Sequence, residues 1–245
     1  MTEVVRMLVC VAATFVAMKI IVARLSGATL QPVQWLAFAA WPGMRPSIFS
    51  RLGGPVSTGA IGILLGGIRN LTTGALLLAI SMQLRAWPLV ATLIAFPALS
   101  LMLHFGLFDI AAAFWRWRGV PAEKLFRAPL AARTLAEFWS RRWNLAFSEM
   151  LTIAVDRPLR PRLGRNGSRM VAFLASGALH EIAISLPVHA GYGLPTLYFI
   201  VQGILVRFER KPSRLRTLAS LVLPLPLLFH PWFVRGVICP LIGLR

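Results

Sequence analysis

Charge is scarce in this chain, and acidic charge scarcer still. Only 14% of its 245 residues are charged, and Lys plus Arg number 26 against eight Asp plus Glu. Soluble domains carry roughly 25% charged residues. With 57% hydrophobic residues and a mean hydropathy of +0.71, the composition excludes an ordinary water-soluble domain. Cysteine is also rare. Cys10 and Cys239 lie in apolar segments far apart, which excludes a disulfide framework, a metal pair or a redox pair and leaves structural thiols. No Cys/His set has zinc spacing, and there is neither a Gly-x-Ser-x-Gly elbow nor a phosphate-binding loop. No metal and no cofactor is therefore expected. Internal repeats with paired broken helices, the mark of many transporters, are missing as well.

What is present is apolar run and basic loop in alternation. A net charge of +18 would point to nucleic acid in a soluble protein. Here the basic residues sit between apolar runs, which points to cytoplasmic loops and anionic headgroups, with no nucleic-acid partner. A span needs about 20 apolar residues. Residues 5–23 form one, read as a first transmembrane helix and not as a cleaved signal. Residues 28–44, with Pro32 and Pro42-Gly43, look too broken for a regular span, whereas residues 52–84 and 86–115 run apolar. Arginines crowd the stretch 116–169, and a second basic cluster runs from Arg207 to Arg216. Residues 170–206 between them hold no Lys or Arg and fit a two-helix hairpin with its turn near Pro187 to Pro195. A last helix over 217–235 should kink at Pro224 and Pro226. The fold class read from this pattern is an all-α polytopic membrane protein. It would have about six to seven transmembrane helices plus an interfacial amphipathic helix, in one membrane domain over residues 1–245.

Two stretches carry chemistry. Phe138-Trp139-Ser140-Arg141-Arg142-Trp143-Asn144 is aromatic, cationic and amide-bearing. Thr134-Leu135-Ala136-Glu137 before it is a capping box, so a helix is expected to start there and carry Asn144 and Ser148 inward. On that helix Glu137 and Arg141 would pair at i,i+4, and Trp139 and Trp143 would share a stripe. The second stretch is Ser176-Gly177-Ala178-Leu179-His180-Glu181. Counting from a helix start near Met170, His180 lies roughly 15 Å deep, close to the bilayer midplane. An ionisable residue there is functional by default, although a structural imidazole bonding a neighbouring helix is the alternative. Glu181 faces another way from His180 and is expected to pair with an arginine. His104 and Asp109, five apart, are off the helical register, and pairing with Arg69 or a backbone carbonyl is expected for them. His189 and His230 receive no role.

Taken as a pair and in this order, the two stretches resemble the wax-synthase branch of the membrane-bound O-acyltransferase family. Leu103-His104-Phe105-Gly106 and Leu125-Phe126-Arg127-Ala128-Pro129-Leu130 are similar to flanking sequences of bacterial relatives, and Trp41-Pro42-Gly43-Met44 is a fainter likeness. The resemblance centres on about Leu101 to Ser185. It implies a polytopic helical enzyme that moves a long-chain acyl group from acyl-CoA to the hydroxyl of a lipid alcohol, with Asn144 and His180 catalytic. Arg141, Arg142, Trp139 and Trp143 would then bind acyl-CoA. For Asn144 an interhelical hydrogen bond is the competing role, for the arginines membrane anchoring, and for the tryptophans interface packing. Ser140 stands where the family usually has glycine, and the chain is short for the family. The short length implies either completion by a homodimer or a degenerate, non-catalytic relative such as an assembly partner or small transporter. An acceptor other than a fatty alcohol also stays open. The bacterial inner membrane is the expected location.

Overall fold

A computed structural model describes residues 2–244, and the regular elements among them are all helices. In chain order the elements are α1 (Glu3–Leu25), α2 (Pro32–Ala39), α3 (Ala60–Gln83) and α4 (Pro88–Trp117). Then come α5 (residues 135–142), α6 (residues 145–163), α7 (residues 165–188), α8 (Leu194–Phe208), α9 (Arg214–Leu228) and α10 (Pro231–Leu241). Four stretches are long and apolar enough to cross a membrane: Glu3–Leu25, Ala60–Gln83, Pro88–Trp117 and Leu145–Val188. A fifth is present if α9 and α10, bent by 70° where they meet, count as one span. At Pro224 and Pro226, where a kink is expected, the helix is broken only briefly at Leu223–Pro224, and the 70° bend comes later, before Pro231. The protein is thus an integral membrane protein built of helices. Leu8, Val9, Val16 and Leu25 of α1 face outward, an arrangement that hydrocarbon accepts and water does not.

Two compact units make up the trace. One comprises Ala28–Phe126 with the residues from Ile238 on, and the other the residues up to Gly27 with Arg127–Val237. In the first, α3 and α4 form an antiparallel pair, stitched by Ser81 donating to the Ala91 carbonyl at 2.8 Å and Asn70 to the Phe105 carbonyl at 3.1 Å. The stretch expected to be broken is a short helix, α2, followed by a 3₁₀ turn over Pro46–Arg51. His104 lies in a π segment of α4, Leu101–Leu107. Its Nδ1 is 3.1 Å from Ser100 Oγ, and its ring packs on Phe126 at 4.5 Å. Asp109 is buried and meets Lys124 at 2.6 Å. Neither residue turns to Arg69 as expected. Ser100 is one helical turn back at the i,i+4 spacing, whereas Lys124 comes from the loop after α4, which helical spacing does not reveal.

The second unit holds the motif residues. Asp156 and Ser168 are hydrogen-bonded at 2.6 Å, although a straight helix would separate residues 12 apart by about 18 Å. The chain therefore doubles back between them. The reversal is at Gly164, whose φ of 66° and ψ of 177° leave the helix and need a residue without Cβ. The Leu145–Val188 stretch is thus a hairpin, α6 against α7. A second hairpin follows, α7 against α8, with its turn at residues 189–193, where the absence of Lys and Arg from 170–206 predicts it. Gly177 approaches Thr196 so closely that a Cβ would lie 2.7 Å from the Thr196 Cα. A small residue at this contact lets two backbones meet, the usual way membrane helices pack.

Candidate active site

Antiparallel pairing of α6, α7 and α8 brings three rings together. The His180 imidazole lies between Phe147 of α6, at 5.6 Å, and Phe199 of α8, at 4.4 Å. Its Nδ1 is 2.7 Å from the Ser176 carbonyl oxygen. A carbonyl only accepts, so Nδ1 carries the hydrogen, and in the neutral ring Nε2 keeps its lone pair.

Asn144 sits at the start of α6, one turn before Phe147. Its backbone is left-handed, with φ 43° and ψ 64°, a conformation that Asn tolerates better than most residues. The side-chain Oδ1 accepts from the Phe147 N–H at 3.2 Å, so the residue caps α6. This occupies the carbonyl half of the amide and leaves the NH₂ half to donate. Asn144 thus lies one helical turn from Phe147, the side chain that touches the His180 ring. No hydrogen bond joins Asn144 and His180 among the described residues.

The helix expected to run from Thr134 through Asn144 and Ser148 ends instead at Arg142. Thr134 does cap it, accepting from the Glu137 N–H at 3.0 Å. The reciprocal half of the box differs: Glu137 Oε2 accepts from the Arg133 N–H at 2.9 Å, while the Leu135 N–H goes to the Glu209 carboxylate at 2.9 and 3.0 Å. Phe138–Arg142 is a π segment, which shifts the neighbour on one face from i+4 to i+5. Glu137 accordingly pairs with Arg142 at 2.6 Å and not with Arg141. Trp143 stacks on Phe138 at 5.6 Å and shares no stripe with Trp139. Trp139 goes the other way, packing on Phe199 at 5.7 Å and donating from Nε1 to Gln202 Oε1 at 3.3 Å. Ser148 donates to the Trp139 carbonyl at 2.5 Å and ties α6 to α5.

The two arginines differ sharply. Arg142 is committed within the protein, its Nη1 also donating to the carbonyls of Arg127 and Ala128 at 3.3 and 3.2 Å. Arg141 is exposed. The Glu137 carboxyl is held below its ordinary value of 4.5, first by the Arg133 N–H and then by the Arg142 guanidinium.

Glu181 takes no arginine. Its Oε1 accepts from the Gly193 N–H at 3.0 Å, the Thr196 N–H at 3.0 Å and the Thr196 hydroxyl at 2.8 Å, and so caps α8. An anion at a helix N-terminus satisfies free amides and opposes the helix dipole. His230, given no role by its sequence context, is fully buried. Its Nδ1 accepts from the Phe233 N–H at 3.2 Å, which leaves Nε2–H to donate to Ser185 Oγ at 3.3 Å. Phe147, Phe199, Gln202 and Ser176 are the site neighbours that sequence reasoning missed. Phe199 and Gln202 share a face of α8 three residues apart, but nothing in the sequence aligns that face with His180.

Residues 122–201 match the family described as membrane bound O-acyl transferase. That span holds Asn144, Phe147, Ser176, His180 and Phe199, while Gln202, Glu209 and His230 lie beyond it. A probable long-chain-alcohol O-fatty-acyltransferase of Arabidopsis thaliana is 30% identical over 143 residues, 48% of this chain and 42% of that protein. The long-chain-alcohol O-fatty-acyltransferase of Simmondsia chinensis is 31% identical over 100 residues, 37% of this chain and 28% of that protein. A second Arabidopsis thaliana relative, also named probable long-chain-alcohol O-fatty-acyltransferase, reaches 38% over 72 residues, 26% of this chain and 21% of that protein. The chain spans less than half the length of these O-acyltransferase relatives. Both organisms are plants, and these matches give no ground for a bacterial inner membrane.

Proposed function

We propose that this chain is an O-acyltransferase that moves a long-chain acyl group from acyl-CoA to the hydroxyl of a lipid alcohol. The observation that carries the reading is the bare Nε2 of His180. Its tautomer is set by the Ser176 carbonyl and its ring is held by Phe147 and Phe199, inside the family-matched segment. In the proposed reaction Nε2 takes the alcohol proton as the alcohol oxygen attacks the thioester carbonyl carbon. The tetrahedral oxyanion then collapses, the carbon–sulfur bond breaks, and the thiolate leaves with the proton returned from the imidazolium. The products are an ester and free coenzyme A. Asn144, with Oδ1 bound to its own helix, offers its NH₂ to the oxyanion or to the thioester oxygen.

The arginines divide the work. Arg142 holds the Arg127–Ala128 loop, and Arg141 is left to meet the donor's phosphates. Trp139 and Trp143 serve as packing that sets the site. The six to seven crossings expected from the charge pattern would need Leu194–Phe208 and the bent α9–α10 pair to cross beside the long apolar stretches, of which Leu145–Val188 is a hairpin.

The test is direct. Membranes holding the full chain are given labelled palmitoyl-CoA and a panel of alcohols, and ester is sought by chromatography. Ester with fatty alcohols supports the reading, and ester with another acceptor class reassigns the substrate. No ester above control membranes with any alcohol leaves a non-catalytic relative.

A further inference from the structure

We propose that the arginine-bearing turn between α6 and α7 is a binding site for the phosphates of anionic phospholipid headgroups. Residues 156–169 carry five arginines (Arg157, Arg160, Arg162, Arg165 and Arg169) against one acid, Asp156. A charged run of this kind is ordinarily a solvated face. What distinguishes this one is that it is closed. Ser168, fully buried, donates to Asp156 Oδ1, and Arg160 pairs with Asp156 Oδ2. The one local carboxylate is therefore consumed inward, between the legs of the hairpin. Gly164 reverses the chain above it, and Pro158 and Pro161 restrict the outgoing leg.

Arg157, Arg162 and Arg165 are exposed on this clasped turn, and their guanidiniums have no partner among the described residues. A guanidinium presents a planar fork that matches phosphate oxygens, and this turn carries three exposed ones within nine residues. The apolar neighbours decide which phosphate. Leu163, between two of the arginines, is 49% exposed, and Leu174 lower on α7 is 40% exposed. Apolar surface that runs up to the cationic tip fits a lipid, whose phosphate tops an apolar chain. It does not fit a free, fully hydrated phosphate compound. The orientation bias of basic loops sets which side such a turn occupies, but it does not require selective binding. The inference is independent of the acyl-transfer reading.

Native mass spectrometry of the full chain released from mixed phosphatidylglycerol and phosphatidylcholine nanodiscs reads the preference directly. Arg157, Arg162 and Arg165 together changed to Gln should lose a preference for phosphatidylglycerol of roughly 10²-fold, from three arginines near the surface. A control with equal charge removed, Arg207, Arg210 and Lys211 changed to Gln, should keep it. Ser168→Ala, with every arginine intact, should weaken it several-fold by opening the clasp. An equal loss in both triple variants would make the effect one of net charge and overturn the site. Full preference in the tip variant would overturn it outright, and unchanged preference in Ser168→Ala would overturn the role of the clasp. Free coenzyme A displacing the lipid, where inorganic phosphate at the same ionic strength does not, would reassign the turn to the acyl donor.

Discussion

The Glu137 carboxylate holds the guanidinium of Arg142, five residues along, and leaves Arg141, four residues along, exposed. The extra residue in the π turn produces that choice, and with it the division between an arginine that braces a loop and one that is free to meet a ligand.

This pair predicts an acid sensitivity. Glu137 has a folded-state pKa below its ordinary 4.5, set by the Arg133 amide and then by Arg142. Its contribution is present above the unfolded value and is lost as pH falls through the lowered folded one. Thermal scans in detergent from neutral pH downward should show a loss of stability below about pH 4.5. Glu137→Gln should flatten that part of the profile. An identical acid profile in the variant would remove Glu137 as its source.

His180→Ala should abolish ester formation while the protein stays inserted and monodisperse. Losing a general base costs typically 10²–10⁴-fold. Turnover within a few-fold of wild type would take His180 out of the chemistry.

Asn144 caps α6 and is the proposed oxyanion donor, and two variants part the cap from the proposed role. Asn144→Gly keeps access to the left-handed backbone and, by cap preferences, costs only a few tenths of a kcal/mol in stability. It should still lose roughly 10²-fold or more in turnover through the missing donor. Asn144→Ala should lose both, with about 1 kcal/mol of cap stability gone as well. Full activity in Asn144→Gly would leave the residue as a cap and nothing more.

Glu181 is predicted to matter for stability through α8. Glu181→Ala leaves the amides of Gly193 and Thr196 without their acceptor, at a cost of about 2 kcal/mol. Glu181→Gln keeps one acceptor oxygen and should recover part of this. Thermal unfolding of the two variants gives the comparison, and equal losses would mean that charge alone provides the cap.

The sidedness of the two hairpin turns follows from the positive-inside rule. Gly191 is a poor reporter, because a Cβ there would strike the His230 ring at 2.5 Å. Tyr192, exposed beside it, and Asn166, exposed in the arginine turn, are better. With Cys10 and Cys239 replaced, Tyr192→Cys should react with an impermeant thiol reagent from outside. Asn166→Cys should react only after the membrane is opened. The reverse pattern would put the arginine turn outside, away from cytosolic acyl-CoA.

Features set by local, averaged signals were legible in the sequence. The α7–α8 hairpin follows from the lack of Lys and Arg over 170–206, the cap at Thr134 from a hydroxyl three residues before a carboxylate, and the short break in α9 from Pro224. What stayed hidden depends on single residues acting at a distance. Nothing in Phe138–Arg142 or Glu181–Ser185 marks a π turn, because the sequence of a π turn is ordinary helix sequence. The i+4 pairing expected for Arg141 failed for that reason. Glu181 chose backbone amides across the hairpin turn, a partner that no side-chain pattern announces. The reversal at Gly164 was obscured by its arginines, which read as one basic loop and conceal that apolar helices leave and re-enter on either side of it.

His180 is followed at once by the π segment Glu181–Ser185, and Asn144 is preceded, across Trp143, by the π segment Phe138–Arg142. Each segment holds the helix wider than α geometry would. Deleting one residue from Glu181–Ser185 would let that stretch close into a regular α-helix, with no hydrogen bond of the ladder lost. Everything beyond it would nevertheless rotate by about 100° relative to His180. Ser185 would swing away from His230, and Glu181 away from the start of α8. The chain length between these points thus acts as a gear ratio. A family alignment that admits a one-residue gap here would describe proteins whose imidazole faces a different neighbour, whatever their residues spell.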